Sequence, residues 1–183
     1  MYDKERIIHQ LERTRVLTLQ MIERVPHDRW FEMPTGVTHV AWNIGHIATA
    51  EYFLGMAFVR GAREDDAGMI DGSYAGLFGY GSVPQADPGG YPSPDELMRT
   101  LEAVHRQLLL ETRAMPPEAL VEPCRFDDAW FDHHPFFKEV GEALECVAFH
   151  EHIHIGTLGL LRRELGSGPI DYFQESSEGR RFV

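Results

Sequence analysis

The sequence has 183 residues, 43% of them hydrophobic and 11% aromatic, with a formal net charge of -12. This composition predicts one folded domain over residues 1–183 and excludes a disordered chain. The negative net charge argues against nucleic acid as a partner, because phosphate binding requires clustered Lys and Arg. The chain does not begin with the hydrophobic segment of a signal peptide, and no apolar run approaches the roughly 20 residues that cross a bilayer, so we do not expect the protein to enter a membrane. Cys124 and Cys146 are too few and too far apart for a disulfide framework, so we expect a cytoplasmic location.

The first predicted helix runs from Asp3 to about Val25. Pro26 ends the helical pattern, since proline lacks an N–H group and restricts the residue before it. The apolar side chains recur at helical spacing and share one side of the helix. They are Ile7, Ile8, Leu11, Thr18, Met21, Ile22 and Val25.

A second predicted helix begins between Thr35 and Thr38, whose hydroxyl groups are typical N-caps, and continues to about Arg60. More than half of its circumference is apolar, which predicts a largely buried helix. His46 lies within this helix, so it is either a hydrogen-bonded core histidine or a ligand.

Residues 61–94 form a long connection rich in glycine and proline, and no periodic element is evident in it. The aromatic residues Tyr74, Phe78, Tyr80 and Tyr91 indicate that the connection packs over something. Loops of this length in compact domains are often functional. Two interpretations stay open, a lid over a site and an ordinary surface loop.

The third predicted helix has Ser93 as its N-cap and Pro94 in its first turn, and Pro116-Pro117 ends it. His105 lies at the margin of the core-facing side and is expected to be packed or solvated rather than part of a site. The core-facing side chains are Leu97, Leu101, Val104, Leu108 and Met115.

Residues 118–135 are predicted to be irregular. They include His133-His134, an adjacent pair on a loop that does not converge readily on one metal ion. A fourth helix follows from Phe136 to about Leu165, with Gly166 as its C-terminal cap. Its apolar stripe consists of Phe136, Phe137, Val140, Leu144, Val147, Ile155 and Leu158. The tail over residues 167–183 is expected to be loosely ordered, although Ile170, Tyr172 and Phe173 could dock.

The fourth helix carries the motif His150-Glu151-His152-Ile153-His154. Residues four apart share a helical face, so His150 and His154 could hold one metal ion, although histidines on helices are also common as surface or packed residues. Glu151 lies near the middle of the apolar stripe, where a carboxylate requires a hydrogen-bonding partner. It belongs either to a structural network or to the groups that orient a ligand histidine.

Four amphipathic helices predict an all-α fold, a four-helix bundle with a long irregular connection between its second and third helices. Metal sites in such bundles are built from inward-facing residues of different helices. His46 is therefore the expected third ligand beside His150 and His154.

The sequence resembles the DinB-like family in two motifs. His39-Val40-Ala41-Trp42-Asn43-Ile44-Gly45-His46-Ile47-Ala48 is similar to the second-helix segment of the family, and residues 150–163 are similar to its fourth-helix segment, with Thr157 where many members carry glutamine. The resemblance implies a bundle that is often a homodimer and binds a divalent metal ion through three histidines, which correspond to His46, His150 and His154. Some members are transferases or isomerases that use a small thiol, and related domains use iron.

Three functions follow as hypotheses. The first is a metal-dependent enzyme that takes a small-molecule substrate and activates a low-molecular-weight thiol on zinc, or on nickel or iron, as an S-transferase or isomerase does. The second is an iron enzyme that uses oxygen, although three histidines depart from the usual pair of histidines with one carboxylate. The third is a non-catalytic binding or stress-response module stabilised by the metal. The sequence offers no obvious catalytic nucleophile of its own.

Overall fold

The computed structural model describes residues 2–125 and 138–170. Four long helices pack as a bundle around one hydrophobic core, and neither described range contains a β-strand, so the predicted all-α class is confirmed. The helices are α1 (Lys4–Ile22), α2 (Val40–Tyr52), α3 (Phe58–Arg60), α4 (Ser73–Phe78), α5 (Pro94–Ala114) and α6 (Val140–Glu164). Within those ranges, none of the helices is both long enough and apolar enough to span a bilayer.

Helix α1 begins where the sequence predicts and ends slightly earlier. The side chain of Asp3 caps it by accepting a hydrogen bond of 3.1 Å from the backbone N–H of Arg6. The helix ends at Ile22, three residues before the predicted end, although Val25 still packs in the core. Its apolar face lies mainly against α6.

The N-cap of α2 differs from the prediction. His39 caps this helix, since its Nδ1 accepts a hydrogen bond of 3.0 Å from the backbone N–H of Trp42. The Thr38 hydroxyl accepts instead from the side-chain amide of Asn43, at 2.9 Å. An imidazole nitrogen takes the place of the hydroxyl oxygen that usually caps a helix. The helix therefore begins at Val40, later than N-caps at Thr35 or Thr38 would predict.

Helical structure does continue to Arg60, but not as one regular α-helix. Residues Phe53–Ala57 form a π-helical turn that joins α2 to α3. Gly55 lies against α5, where a Cβ atom would be 2.7 Å from the Leu108 side chain. A change from α to π geometry leaves no clear trace in hydrophobic periodicity, because it adds only a single wide turn.

The long connection contains a helix that the sequence analysis missed. Helix α4 occupies residues 73–78, and the side chains of Tyr74 and Phe78 are buried in the core. Phe78 packs directly on Gly45 of α2, where an added Cβ would lie 2.4 Å from the phenyl ring. A six-residue helix is too short for periodicity to reveal, but its two aromatic residues fix this part of the connection to α2.

Helix α5 agrees closely with its prediction. Ser93 and Glu96 form a capping box, with the Ser93 hydroxyl 3.3 Å from the Glu96 N–H and a Glu96 carboxylate oxygen 2.8 Å from the Ser93 N–H. The predicted core residues are buried, except that Met115 is the half-buried C-cap.

Helix α6 begins at Val140, four residues later than predicted, because Lys138 and Glu139 precede it in non-helical conformations. Glu139 and Glu142 form its capping box. The helix ends at Glu164, and Gly166 follows with a φ of 77°, as a left-handed C-terminal cap requires. Several residues named in the sequence analysis lie outside the described residues, namely His133, His134, Phe136, Phe137, Tyr172 and Phe173.

Leu144 tests the assignment of the core. Its side chain is 0% exposed in the centre of the bundle. Leu144→Ala is expected to lower the free energy of unfolding by about 2–5 kcal/mol, because truncation removes buried contacts and leaves a cavity. Urea denaturation measures this change, and Leu110→Ala on the exposed side of α5 is the control. A loss below about 0.5 kcal/mol at Leu144 would contradict the assigned core face.

Candidate metal centre

Three histidines from two helices converge between α2 and α6. The side chains are His46 of α2 and His150 and His154 of α6, and one ligand atom from each lies within 4.8 Å of the other two. The Nε2 atoms of His46 and His150 are 3.2 Å apart. The ring centroid of His154 lies 4.7 Å from the centroids of both other rings. The structure therefore brings together the three histidines that the sequence analysis selected.

The spacing of His46 and His150 fits two ligands of a tetrahedral ion. Two nitrogens that are each about 2.0–2.1 Å from a tetrahedral zinc ion are themselves about 3.3 Å apart, close to the 3.2 Å between His46 and His150. All three side chains are partly buried rather than enclosed. Three imidazoles from two helices can thus hold zinc or a similar divalent ion and leave one coordination position for a small molecule.

Hydrogen bonds at Nδ1 of His46 and of His154 fix the proton of each ring on that nitrogen. Nδ1 of His46 donates to the backbone carbonyl of Phe78 at 2.5 Å, and Nδ1 of His154 donates to the side-chain oxygen of Asn43 at 2.9 Å. Because Nδ1 carries the proton in both rings, each Nε2 keeps its lone pair, and that of His46 contacts Nε2 of His150 at 3.2 Å, a hydrogen bond that a bound metal would replace. The indole of Trp42 also stacks on His46, with ring centroids 4.6 Å apart and planes 11° apart.

Burial keeps the three imidazoles neutral. Burial, followed by repulsion from the neighbouring imidazoles His150 and His46, lowers the pKa of His154 to about 3. Burial and repulsion from His46 lower the pKa of His150 to about 4. Burial also lowers the pKa of His46, against the opposing effect of its bond to Phe78. Neutral imidazoles are the form that binds metal, so the site is competent near pH 7.

These lowered pKa values predict that acid destabilises the metal-free protein. The unfolded chain takes up protons below about pH 6.5, whereas the folded site takes them up only near pH 4 and below, so unfolding becomes more favourable as pH falls between these values. We expect His150 and His154 each to lower the free energy of unfolding by about 2 kcal/mol between pH 7 and pH 5, or about 4 kcal/mol together. Urea denaturation at both pH values measures it, and His154→Leu should reduce the difference. Equal stability at both pH values would contradict this expectation.

Three of the other described histidines, His39, His105 and His152, have other partners. His39 caps α2, and its Nε2 is 3.1 Å from the Gln85 carbonyl. His105 binds Glu51 at 2.6 Å. His152 is exposed, with Nδ1 2.7 Å from the Ala148 carbonyl. None of these three belongs to the cluster of His46, His150 and His154.

Glu151 belongs to a buried ionic network. One carboxylate oxygen accepts hydrogen bonds from Nε of Arg15 at 2.9 Å and from the Thr18 hydroxyl at 2.6 Å. Arg15 also binds Glu51 at 2.7 Å. These contacts correspond to the structural-network interpretation, and a role for Glu151 in orienting a ligand histidine stays a prediction.

The network connects all four bundle helices. Arg15 of α1 binds Glu51 of α2 and Glu151 of α6, and it donates to the Leu101 carbonyl of α5 at 3.0 Å. Burial opposes the charge on Arg15, but Glu151 and Glu51 outweigh burial and raise its pKa. Burial likewise opposes the charge on Glu51, yet Arg15 and His105 hold its pKa below the usual value. A single guanidinium therefore fixes both histidine-bearing helices relative to α1 and α5.

The sequence did not reveal the groups that hydrogen-bond to the clustered histidines. Asn43 precedes His46 by three residues, a spacing that places both on one face of α2 and could have identified it. The Phe78 carbonyl gives no sequence signal, since any residue has one. The role of Arg15 could not be predicted from the sequence of α1, because its partners Glu51 and Glu151 are 36 and 136 residues away.

Fold and site together define a class of protein, a helical bundle with a histidine cluster that can hold a divalent metal ion between two of its helices. The family model of the DinB superfamily matches residues 10–158. The chain therefore belongs to the DinB superfamily. No match was found among curated proteins.

Proposed function

We propose that this protein is a divalent-metal-dependent enzyme, a thiol-dependent S-transferase or isomerase that acts on a small-molecule substrate. The observation that supports the proposal is the convergence of three neutral imidazoles on one point. Zinc suits three imidazole ligands best, and nickel or iron are alternatives. His46, His150 and His154 would hold the ion.

A divalent ion held by three imidazoles supplies an open position that lowers the pKa of a thiol or water placed there. The protein's own residues bind and orient. Asn43 and the Phe78 carbonyl keep the Nδ1 protons of His154 and His46 away from the site. The indole of Trp42, stacked on His46, covers one side of that ligand.

The protein's own cysteines are poor nucleophiles, which supports a thiol supplied as cosubstrate. Burial, with a smaller effect of Glu142, raises the pKa of Cys124 to about 11, and burial raises the pKa of Cys146. Both thiols are therefore protonated at neutral pH and unsuited to attack. Both cysteines are free thiols, in agreement with the reducing, cytoplasmic location that we propose.

Two alternatives have less support. An iron enzyme that uses oxygen commonly has a carboxylate among its ligands, but the carboxylate of Glu151 is bound to Arg15 and Thr18. A non-catalytic site that only joins the helices would be closed, whereas all three histidines here are partly exposed.

Metal analysis and a thiol-transfer assay test the proposal. Protein purified without a histidine tag is loaded with zinc, nickel or iron(II). It is then incubated with cysteine or glutathione and a chromogenic electrophile such as 1-chloro-2,4-dinitrobenzene. We expect metal-dependent thioether formation that His150→Ala abolishes and His152→Ala preserves. A rate independent of metal and of His150 for every thiol tested would contradict the proposed chemistry.

The lid interpretation of residues 61–94 is a second prediction about this site. Phe78 fixes one point of the connection to His46, while Tyr80 and Val83 beyond it are exposed. If this part closes over a ligand, hydrogen exchange of its amides should slow when zinc and a thiol are added. The same exchange rate with and without these additions would leave only the surface-loop interpretation.

We also propose a homodimer, formed through the outer face of α6. Phe149, Ile153 and Leu160 are exposed by 64%, 56% and 49%, and Gly156 lies in the same stripe. When two copies of α6 pair in antiparallel orientation, Ile153 faces the partner's Gly156. Glu145 then lies near the partner's Arg163, so shape and charge are complementary.

Sedimentation equilibrium measures the proposed association. Phe149→Asp should shift the protein from dimer to monomer, whereas Leu110→Asp, on an equally exposed position of α5, should not. A monomeric wild-type protein at micromolar concentration would contradict a dimer on this face.

A further inference from the structure

The structure assigns Asn43 as the positioning residue that fixes the tautomer and direction of His154. The side-chain oxygen of Asn43 lies 2.9 Å from Nδ1 of His154. An amide oxygen only accepts hydrogen bonds, so His154 carries its proton on Nδ1 and presents the lone pair of Nε2. This inference rests on the proposed metal site but not on the proposed reaction.

The orientation of the Asn43 amide is itself fixed. Its Nδ2 donates to the Thr38 hydroxyl and to the His39 carbonyl, each at 2.9 Å. Rotating the amide by 180° would place its oxygen against the His39 carbonyl, two acceptors facing each other. The turn that precedes α2 therefore determines which end of Asn43 reaches His154 on α6.

Burial of Asn43 prevents water from replacing it as the hydrogen-bond acceptor for His154. Asn43 is 1% exposed, so water has little access to take over the hydrogen bond. A neutral histidine side chain in water carries its proton mostly on Nε2, which would be the ligand nitrogen in this site. Without Asn43, the preferred tautomer of His154 would therefore place a proton where the metal must bind.

The ligands differ in how they are held. His46 donates to a backbone carbonyl, that of Phe78, which no side-chain substitution removes. His154 depends on one side chain, so its tautomer can be changed by mutation. A substitution of Asn43 can therefore change the tautomer of His154, and with it the metal affinity of the site, without replacing any of the three histidines.

The test compares Asn43→Leu, which has similar volume and no acceptor, with Asn43→Asp, which retains a carboxylate oxygen. Long-range ¹⁵N–¹H spectra of the metal-free proteins report the tautomer of His154. We expect Nδ1 protonation in the wild type and in Asn43→Asp, and predominantly Nε2 protonation in Asn43→Leu. Zinc affinity should fall about 10–100-fold in Asn43→Leu and fall less in Asn43→Asp, which keeps an acceptor for Nδ1 of His154 although its second oxygen faces the His39 carbonyl.

Thr49→Val is the matched control for loss of a buried polar group on α2. The Thr49 hydroxyl donates to the Gly45 carbonyl of its own helix and to no histidine, so stability can fall while tautomer and affinity stay unchanged. If Asn43→Leu does not fold, Thr38→Val removes one of the two acceptors that hold the amide and should give a mixture of His154 tautomers.

Unchanged Nδ1 protonation of His154 in Asn43→Leu, or in Thr38→Val where only that variant folds, would overturn the assignment. Failure of the metal proposal is distinguishable, because the wild type would then show the Nδ1 tautomer yet bind no zinc.

Discussion

His150→Ala is expected to lower zinc affinity more than about 100-fold, because two imidazoles cannot replace a site built from three. His150 lies 3.2 Å from His46 and shares the cluster with His154, so each of the three alanine variants should give the same result. Equilibrium dialysis of untagged protein against a zinc chelator of known affinity measures this change, and the wild type should bind one ion per chain.

His152→Ala is the matched control, since His152 lies within two residues of both α6 ligands but is exposed on another face. His105→Ala, which removes a partner of Glu51, is a second control. Wild-type affinity in His150→Ala, or loss of zinc in His152→Ala equal to the loss in His150→Ala, would falsify the assignment of ligands.

Arg15→Met is expected to lower the free energy of unfolding by about 3–5 kcal/mol. The variant leaves the carboxylates of Glu51 and Glu151 buried close together without the cation that binds both. The pKa of Glu51, which Arg15 and His105 hold down in the wild type, should then rise, so the deficit relative to wild type should shrink as pH falls towards 5. Urea denaturation at pH 7.5 and pH 5 measures both effects.

Arg113→Met provides the comparison at the surface. Arg113 forms an ion pair with Glu12, and both side chains are more than 40% exposed. Removing an exposed pair of this kind costs roughly 0–1 kcal/mol. If Arg15→Met were no more destabilising than Arg113→Met, the network would not have the structural role described for it.

Local signals predicted the helices well where caps and periodicity agree. Ser93 with Glu96 located the start of α5, and the apolar stripe of α6 identified its buried side. The start of α6 was placed four residues too early because apolar residues at helical spacing continue before Val140. Helix α4 and the π-helical turn after Tyr52 were missed because each is too short to establish a period.

The cluster of three histidines could be predicted because its signal is local. His150 and His154 are one turn apart, and His46 lies on a helix apolar enough to be buried. The groups around the ligands depend on pairings across the chain, such as Asn43 with His154 over 111 residues. Periodicity shows that Glu151 needs a partner, but only the tertiary structure shows that the partner is Arg15.

The buried network also bears on how the bundle assembles. Its groups come from α1, α2, α5 and α6, so its full set of hydrogen bonds forms only after all four helices have docked. A partly assembled bundle that lacks α1 would bury Glu51 and Glu151 without Arg15, at a cost of several kcal/mol. Three-helix intermediates are therefore disfavoured, and folding should be cooperative, with a single transition seen by every probe.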